Sequence, residues 1–252
     1  MLVIAGSDSG GGAGIQADIK AITAFGCHAM TAITAITAQN TLGVSDVLVL
    51  EPALVVAQID AVLSDIGADA IKIGMIGSSA IADAVANRLS REDARVPMVF
   101  DPVMVATSGA MLADAATIAA FERLTALATL VTPNLPELAV LSREGPEALA
   151  ARTRTAVLAK GGHGEGERLM DRLVCVDGST ETWIDGRIDT RHTHGTGCTL
   201  ASAIAAGLAK GERLDAAVAA ARRHVRAAIL TAPGLGGGNG PLGSPPCNAS
   251  QD

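Results

Sequence analysis

Residues 2–25, LVIAGSDSGGGAGIQADIKAITAF, hold the reading on which the fold turns. The apolar run LVIA has the length and composition of a buried strand. It ends in the glycine-rich turn GSDSGGGAG, after which apolar residues recur at helical spacing from Ala13 to Phe25. Strand, turn and helix in that order make half of a parallel crossover unit, because a helix is the usual way back to the start of a neighbouring parallel strand.

The rest of the chain repeats the unit. Strand-like runs LVIA, HAMTAITAIT, VLVL, AIKIG, PMVFD, TLVT and AVLAKGG alternate with helical stretches at Pro52–Ile66, Ser78–Leu89, Asp114–Ala126, Leu135–Leu141, Thr199–Lys210 and Leu214–Ala232. Several of these strands are apolar on both alternating faces, as strands covered by helices on each side must be. This predicts an α/β fold with a mostly parallel, doubly wound sheet. RLVCVDG and TETWIDG, separated by turn residues, predict an antiparallel hairpin at one edge. No second domain is visible, so residues 1–252 read as one domain, with the Gly/Pro-rich stretch 233–252 ending as a loose tail.

Apolar residues make up 49% of the 252 and aromatics only 2%, with no Tyr, so the core is tiled from Ala, Val, Ile and Leu. A formal charge of −7 argues against nucleic acid and anionic membrane as partners, since both reward a basic face. It does not exclude a phosphate-bearing small molecule, which backbone N–H groups at a helix start can hold. Cys27, Cys175, Cys198 and Cys247 lie far apart with no C-x-x-C pair, which points to a reducing cytoplasm. No apolar run reaches the roughly 18 residues of a membrane span.

Ligands of open α/β sheets sit beyond the carboxyl ends of the strands, so the polar residues after each strand are the candidates. Gly12 to Ala17 fits G-x-G-x-x-A, but no acidic residue follows at ribose distance; a dinucleotide site and plain tight-turn glycines both remain readings. In HGTGC, Gly195 and Gly197 free the backbone of 195–198, Thr196 included, to aim N–H groups at an anion. Convergent donors of that kind stabilise the charge that develops in phosphoryl transfer. Cys198 stands in the first turn of the following helix, where the dipole would lower its pKa and make it a proton acceptor; the alternative is a small buried hydrophobe. Asp101 ends a strand at the ligand edge. Asn134 and Glu137 are either Mg²⁺-water ligands or the two halves of a capping box. Lys160 either reaches a phosphate or is merely solvated, and His163, His192 and His194 lack the spacing of a metal site.

Taken in order, IAGSDSGGGAGIQAD, AITAQNTLGV, KIGMIGS, DPVMVATSG, TPNLPE, KGGH and THGTGCTLASAIAAGLAKG resemble the ribokinase-like superfamily. Within it they are similar to the hydroxymethylpyrimidine/phosphomethylpyrimidine kinases of thiamine biosynthesis, across nearly the whole chain. The resemblance implies a three-layer α/β/α kinase, often a homodimer, that moves the γ-phosphoryl of ATP to 4-amino-5-hydroxymethyl-2-methylpyrimidine and then to its monophosphate. It implies Gly6, Asp18, Gln39, Met75 and Val103 around the pyrimidine. It places Lys160, Asn134 and Asp101 with ATP, Asn134 and Glu137 with Mg²⁺, and Gly195 to Cys198 as the anion hole with Cys198 catalytic. Pyridoxal kinase and a non-catalytic pyrimidine sensor are the alternatives. The chain departs from the pattern at Ser9-Gly10, expected to loosen the substrate loop, at Thr107, where many relatives carry Lys, and in a tail without the histidines often found there.

Overall fold

The alternation in the first strand sorts its side chains into two cores. Leu2 and Ile4 of β1 (Leu2–Asp8) join one apolar cluster, and Met1, Val3 and Ala5 join the other. The same split recurs in β5 (Met98–Phe100), β6 (Leu130–Val131) and β7 (Ala156–Ala159), as the period of two requires, while β4 (Ile71–Ile73) gives Ile71 and Ile73 to the first core and turns Lys72 to the other face. The structure, a computed structural model, describes residues 1–91, 94–106, 109–163 and 166–245. Thr107, Cys247 and positions 246–252 of the tail lie outside the described residues.

Nine strands form a single sheet in the order β3-β2-β1-β4-β5-β6-β7-β8-β9, where β2 is Met30–Gln39, β3 Val44–Val49, β8 Arg168–Val174 and β9 Thr180–Gly186. From β2 through β7 all neighbours are parallel. The first core lies under α2 (Pro52–Asp65), α3 (Ser79–Leu89), α4 (Ala115–Leu127) and α6 (Pro146–Thr153). The second lies under α1 (Gly14–Ala24), α7 (Thr196–Ala209) and α8 (Leu214–Leu230). Phe100 and Phe121, two of the few aromatics, meet edge to face in the first core. The three-layer α/β/α reading and the antiparallel edge hairpin β8-β9 are both present.

Four differences from the sequence reading have physical causes. The hairpin begins at Arg168 rather than Arg172, because β8 pairs with β9 along its whole length. The strand expected at VLVL starts at Val44 and runs antiparallel to β2, a second antiparallel edge. Asn40 to Gly43 is too short for a crossover and closes as a turn through Asn40 N–H to the Gly43 carbonyl. α6 was not expected, since its buried Leu149 and Ala150 span less than one turn and leave no periodic stripe. Finally, residues 233–245 are docked rather than loose. Asn239 N–H donates to the Thr41 carbonyl, Gly243 N–H to Ala228, and the Gly240 carbonyl accepts from His194 N–H. Among the described residues no helix is long and apolar enough to cross a membrane.

Candidate active site

The carboxyl ends of the parallel strands open into one cavity of about 650 Å³. Gly6, Gln39, Met75 and Val103 line it from β1, β2, β4 and β5, while Asp101, Asn134, Glu137 and Lys160 line it from β5, β6 and β7. Gly195, Thr196, Gly197 and Cys198 enter from the start of α7. All these expected residues therefore face one space, in two groups set apart by strand order. Asp18 does not join them. It is fully buried in α1, its carboxylate bound by Lys72 Nζ at 2.8 and 2.9 Å and by the Ser202 hydroxyl at 2.7 Å, and it does not line the cavity.

Asp101 is the hub of the second group. Its Oδ1 accepts from Lys160 Nζ at 2.7 Å and from the Thr132 hydroxyl at 2.9 Å. Burial alone would raise the Asp101 carboxyl, but Lys160 and then Lys72 outweigh it and hold it below its usual value. Burial likewise opposes the charge on Lys160, and Asp101 and Glu137 outweigh it. Glu137 goes the other way: its burial exceeds what Lys160 returns, Asp101 adds repulsion, and its carboxyl is pushed up.

Two helices start at this cavity. α5 (Leu135–Leu141) is closed by a full capping box: Asn134 Oδ1 accepts from Glu137 N–H at 2.9 Å, and Glu137 Oε2 accepts from Asn134 N–H at 2.8 Å. α7 begins three residues earlier than Thr199, at Thr196, on a Gly195 with φ 85° and no side-chain cap among the described residues. A Cβ at Gly195 would collide with the Gly12 carbonyl oxygen as well as sit in the left-handed region, so the position requires glycine twice over. The Thr196 N–H is spent on the Thr193 carbonyl, so the inward donors are not all of 195–198 and Thr196 drops out of the set. A Cβ on Gly197 would lie 3.3 Å from Asp101 Oδ2 and 3.4 Å from Lys160 Nζ, which places that amine beside the helix start.

The lowered Cys198 pKa is reversed. Burial pushes the thiol up to about 11, Lys72 pulls it back only in part, and Asp18 and Asp101 add to the rise. The helix dipole is a fraction of a charge, whereas desolvation acts on the whole thiolate. Ser9 also behaves differently from the expectation of a loosened loop. Its hydroxyl donates to the Gln39 carbonyl and accepts from the Gln39 N–H, both at 2.8 Å, and ties the loop to the end of β2.

Lys72, Asp8 and His194 line the cavity without having been singled out as ligands. The signal for Lys72 was a charge in the otherwise apolar AIKIG, which a strand covered on both faces can hold only if paired. Among the described residues no three His, Cys, Asp or Glu groups converge as a metal cage. Glu137, with Asn134 beside it, nevertheless suits a hydrated Mg²⁺, which takes one or two carboxylates, its own waters and nucleotide phosphates.

A profile of the family described as phosphomethylpyrimidine kinase matches residues 8–243. The hydroxymethylpyrimidine/phosphomethylpyrimidine kinase of Streptomyces coelicolor is 48% identical, with 96% of this chain and 93% of that protein covered. The solved phosphomethylpyrimidine kinase of Clostridium difficile superposes with a TM-score of 0.77 at 36% identity, over 90% of this chain and 98% of that one. An ADP complex of Bacillus subtilis pyridoxal kinase superposes at 0.84 and 32% identity, over 96% of both chains.

Proposed function

The chain belongs to the phosphomethylpyrimidine kinase family, and from that premise we propose how its cleft carries out the reaction. The protein is a kinase that phosphorylates the hydroxymethylpyrimidine of thiamine biosynthesis and its monophosphate at the expense of ATP. The observation that carries the mechanism is the uncapped start of α7 beside Lys160. Gly197 and Cys198 N–H groups and the Lys160 amine hold the transferring phosphoryl group, where charge spreads over three oxygens. Gly6, Met75 and Val103 enclose the ring, and Gln39 reads its edge with an amide that both donates and accepts.

Asp101 keeps Lys160 in place for the ATP phosphates. Asn134 and Glu137 would hold Mg²⁺ through water, and the ion would supply charge neutralisation between the phosphates. Cys198 takes the hydroxyl proton as the minor thiolate, steadied by Lys72. The alternative acceptor, pyridoxal, rests on the Bacillus subtilis enzyme, which superposes well but is only 32% identical, against 48% for the Streptomyces coelicolor pyrimidine kinase. ADP release measured with hydroxymethylpyrimidine, its monophosphate and pyridoxal separates them: turnover of the first two is expected, and turnover of pyridoxal alone overturns the assignment.

The proposal includes one kinase domain over residues 1–252, a cytoplasmic location where ATP is at hand, and a homodimer. Ile36, Val47, Leu48 and Val49, all at least 37% exposed on the β2-β3 edge, support pairing. Sedimentation as a monomer at micromolar concentration would remove that part.

A further inference from the structure

An acid, an imidazole and an amide form a chain across the cleft that the phosphate-holding groups leave unused. Asp8 is 2% exposed and His194 5%. Asp8 Oδ2 lies 2.9 Å from His194 Nε2, and that same nitrogen lies 3.2 Å from the side-chain amide of Gln39. The His194 ring packs directly against the Gly12 backbone, where a Cβ would collide with it.

Donors and acceptors settle where the hydrogens are. Asp8 accepts N–H groups from Gly10, Gly12 and Ala13 at 2.8, 3.0 and 2.8 Å, which favour the ionised carboxylate. An ionised carboxylate only accepts, so His194 Nε2 carries a proton and donates it. A second donor cannot face that N–H. The Gln39 amide nitrogen lies 3.2 Å from His194 Nε2 and its oxygen 3.1 Å from the Thr37 hydroxyl; because amide oxygen and nitrogen are assigned from their partners, a donor at Nε2 favours the reversed amide, with the oxygen toward His194 sharing the N–H that Asp8 accepts and the nitrogen toward Thr37. Thr37 accommodates it, since its hydroxyl donates to the Ser7 carbonyl at 3.0 Å and presents a lone pair to the Gln39 terminus at 3.1 Å.

The geometry points to Asp8 and His194 as positioning residues that fix which way round Gln39 reads the ring, a conclusion that rests on the pyrimidine reading above. The free edge of the amide shows oxygen on the His194 side and an N–H on the Thr37 side. An aminopyrimidine presents an amine donor next to a ring-nitrogen acceptor, so it docks with the amine toward His194 and the nitrogen toward Thr37. The hydroxymethyl group is on the carbon next to the one bearing the amine, and the residue after His194 is Gly195. Satisfying the ring edge thus carries the hydroxyl to the phosphoryl-holding loop. The opposite amide orientation would turn the ring over and take the hydroxyl away from it.

Nitrogen NMR of the unmodified enzyme tests the chain directly. The His194 proton is expected on Nε2, and a proton on Nδ1 alone overturns the relay. Kinetics then test its consequence. His194→Met, which removes the donor at similar volume, is expected to raise the pyrimidine KM about 10-fold with the ATP KM within about twofold, and His194→Gln, which returns an N–H, to recover most of the loss. In a Gln39→Ala background His194→Met should add nothing. Additive losses, or an equal rise in both KM values, overturn the positioning role. Absence of turnover by the unmodified enzyme would instead overturn the pyrimidine reading, while the nitrogen spectra would still support or overturn the relay.

Discussion

α5 and α7 both begin at the rim of the same cleft, yet only one of them is complete in itself. At α5 the Asn134 and Glu137 side chains close both ends of a reciprocal box, and the orphan N–H groups they reach are spent on the protein. At α7 the N-cap residue, Gly195, is a left-handed glycine, and no side chain among the described residues caps the helix. Both starts, NLPE and HGTGC, read in sequence as candidate ligand sites. The difference teaches that a helix start is available to an anion when its own side chains leave it open.

The sharpest way to break this comparison is to close α7. Gly195→Ala forces a methyl group against the Gly12 carbonyl and displaces the Gly197 and Cys198 donors, so kcat should fall about 10²–10³-fold, the loss expected for an oxyanion donor, as measured by ADP release. Unchanged turnover would mean that the phosphoryl group is held elsewhere.

Cys198→Ala comes next, with a loss of about 10²-fold, the low end of a general-base effect because little of the thiol is ionised. The sign of its pH dependence follows from the raised pKa. Below about 11 the thiolate fraction grows with pH, so kcat should climb between pH 7 and 9 in the parent enzyme and stay flat in the variant. A flat parent profile returns Cys198 to a packing role.

Glu137→Gln sharpens the other side. Gln preserves the box, so folding should be unaffected, while the concentration of Mg²⁺ needed for half-maximal rate should rise about 10-fold if the carboxylate holds ion-bound water. No change in that requirement would leave Glu137 a cap alone. The smallest effect belongs to Asn134→Ala, which opens the box and should cost about 1 kcal/mol of stability in urea unfolding.

Much of this was legible in the chain. The alternation of apolar residues in LVIA already divides Leu2 and Ile4 from Val3 and Ala5, and the sheet needs no other instruction to accept helices on both faces. The glycines of HGTGC mark an open helix start by their conformational freedom, a local property. The role of Asn134 and Glu137 was not separable, because a cap and a water ligand ask for the same residues at the same spacing. Asp18 was misplaced toward the ring because its partner Lys72, 54 residues on, is invisible to a motif centred on α1.

The sequence by itself determined the alternation of strands and helices apart from α6, the two-sided apolar strands, and the glycines at 195 and 197, since each follows from periodicity or backbone freedom within a few residues. Only the tertiary structure decided which charges meet. It paired Asp8 with His194 across 186 residues, hid Asp18 behind Lys72, and raised the Cys198 thiol that its helix position alone would lower. The reason is that desolvation and Coulomb attraction depend on what lies within a few ångströms, and those neighbours come from distant parts of the chain.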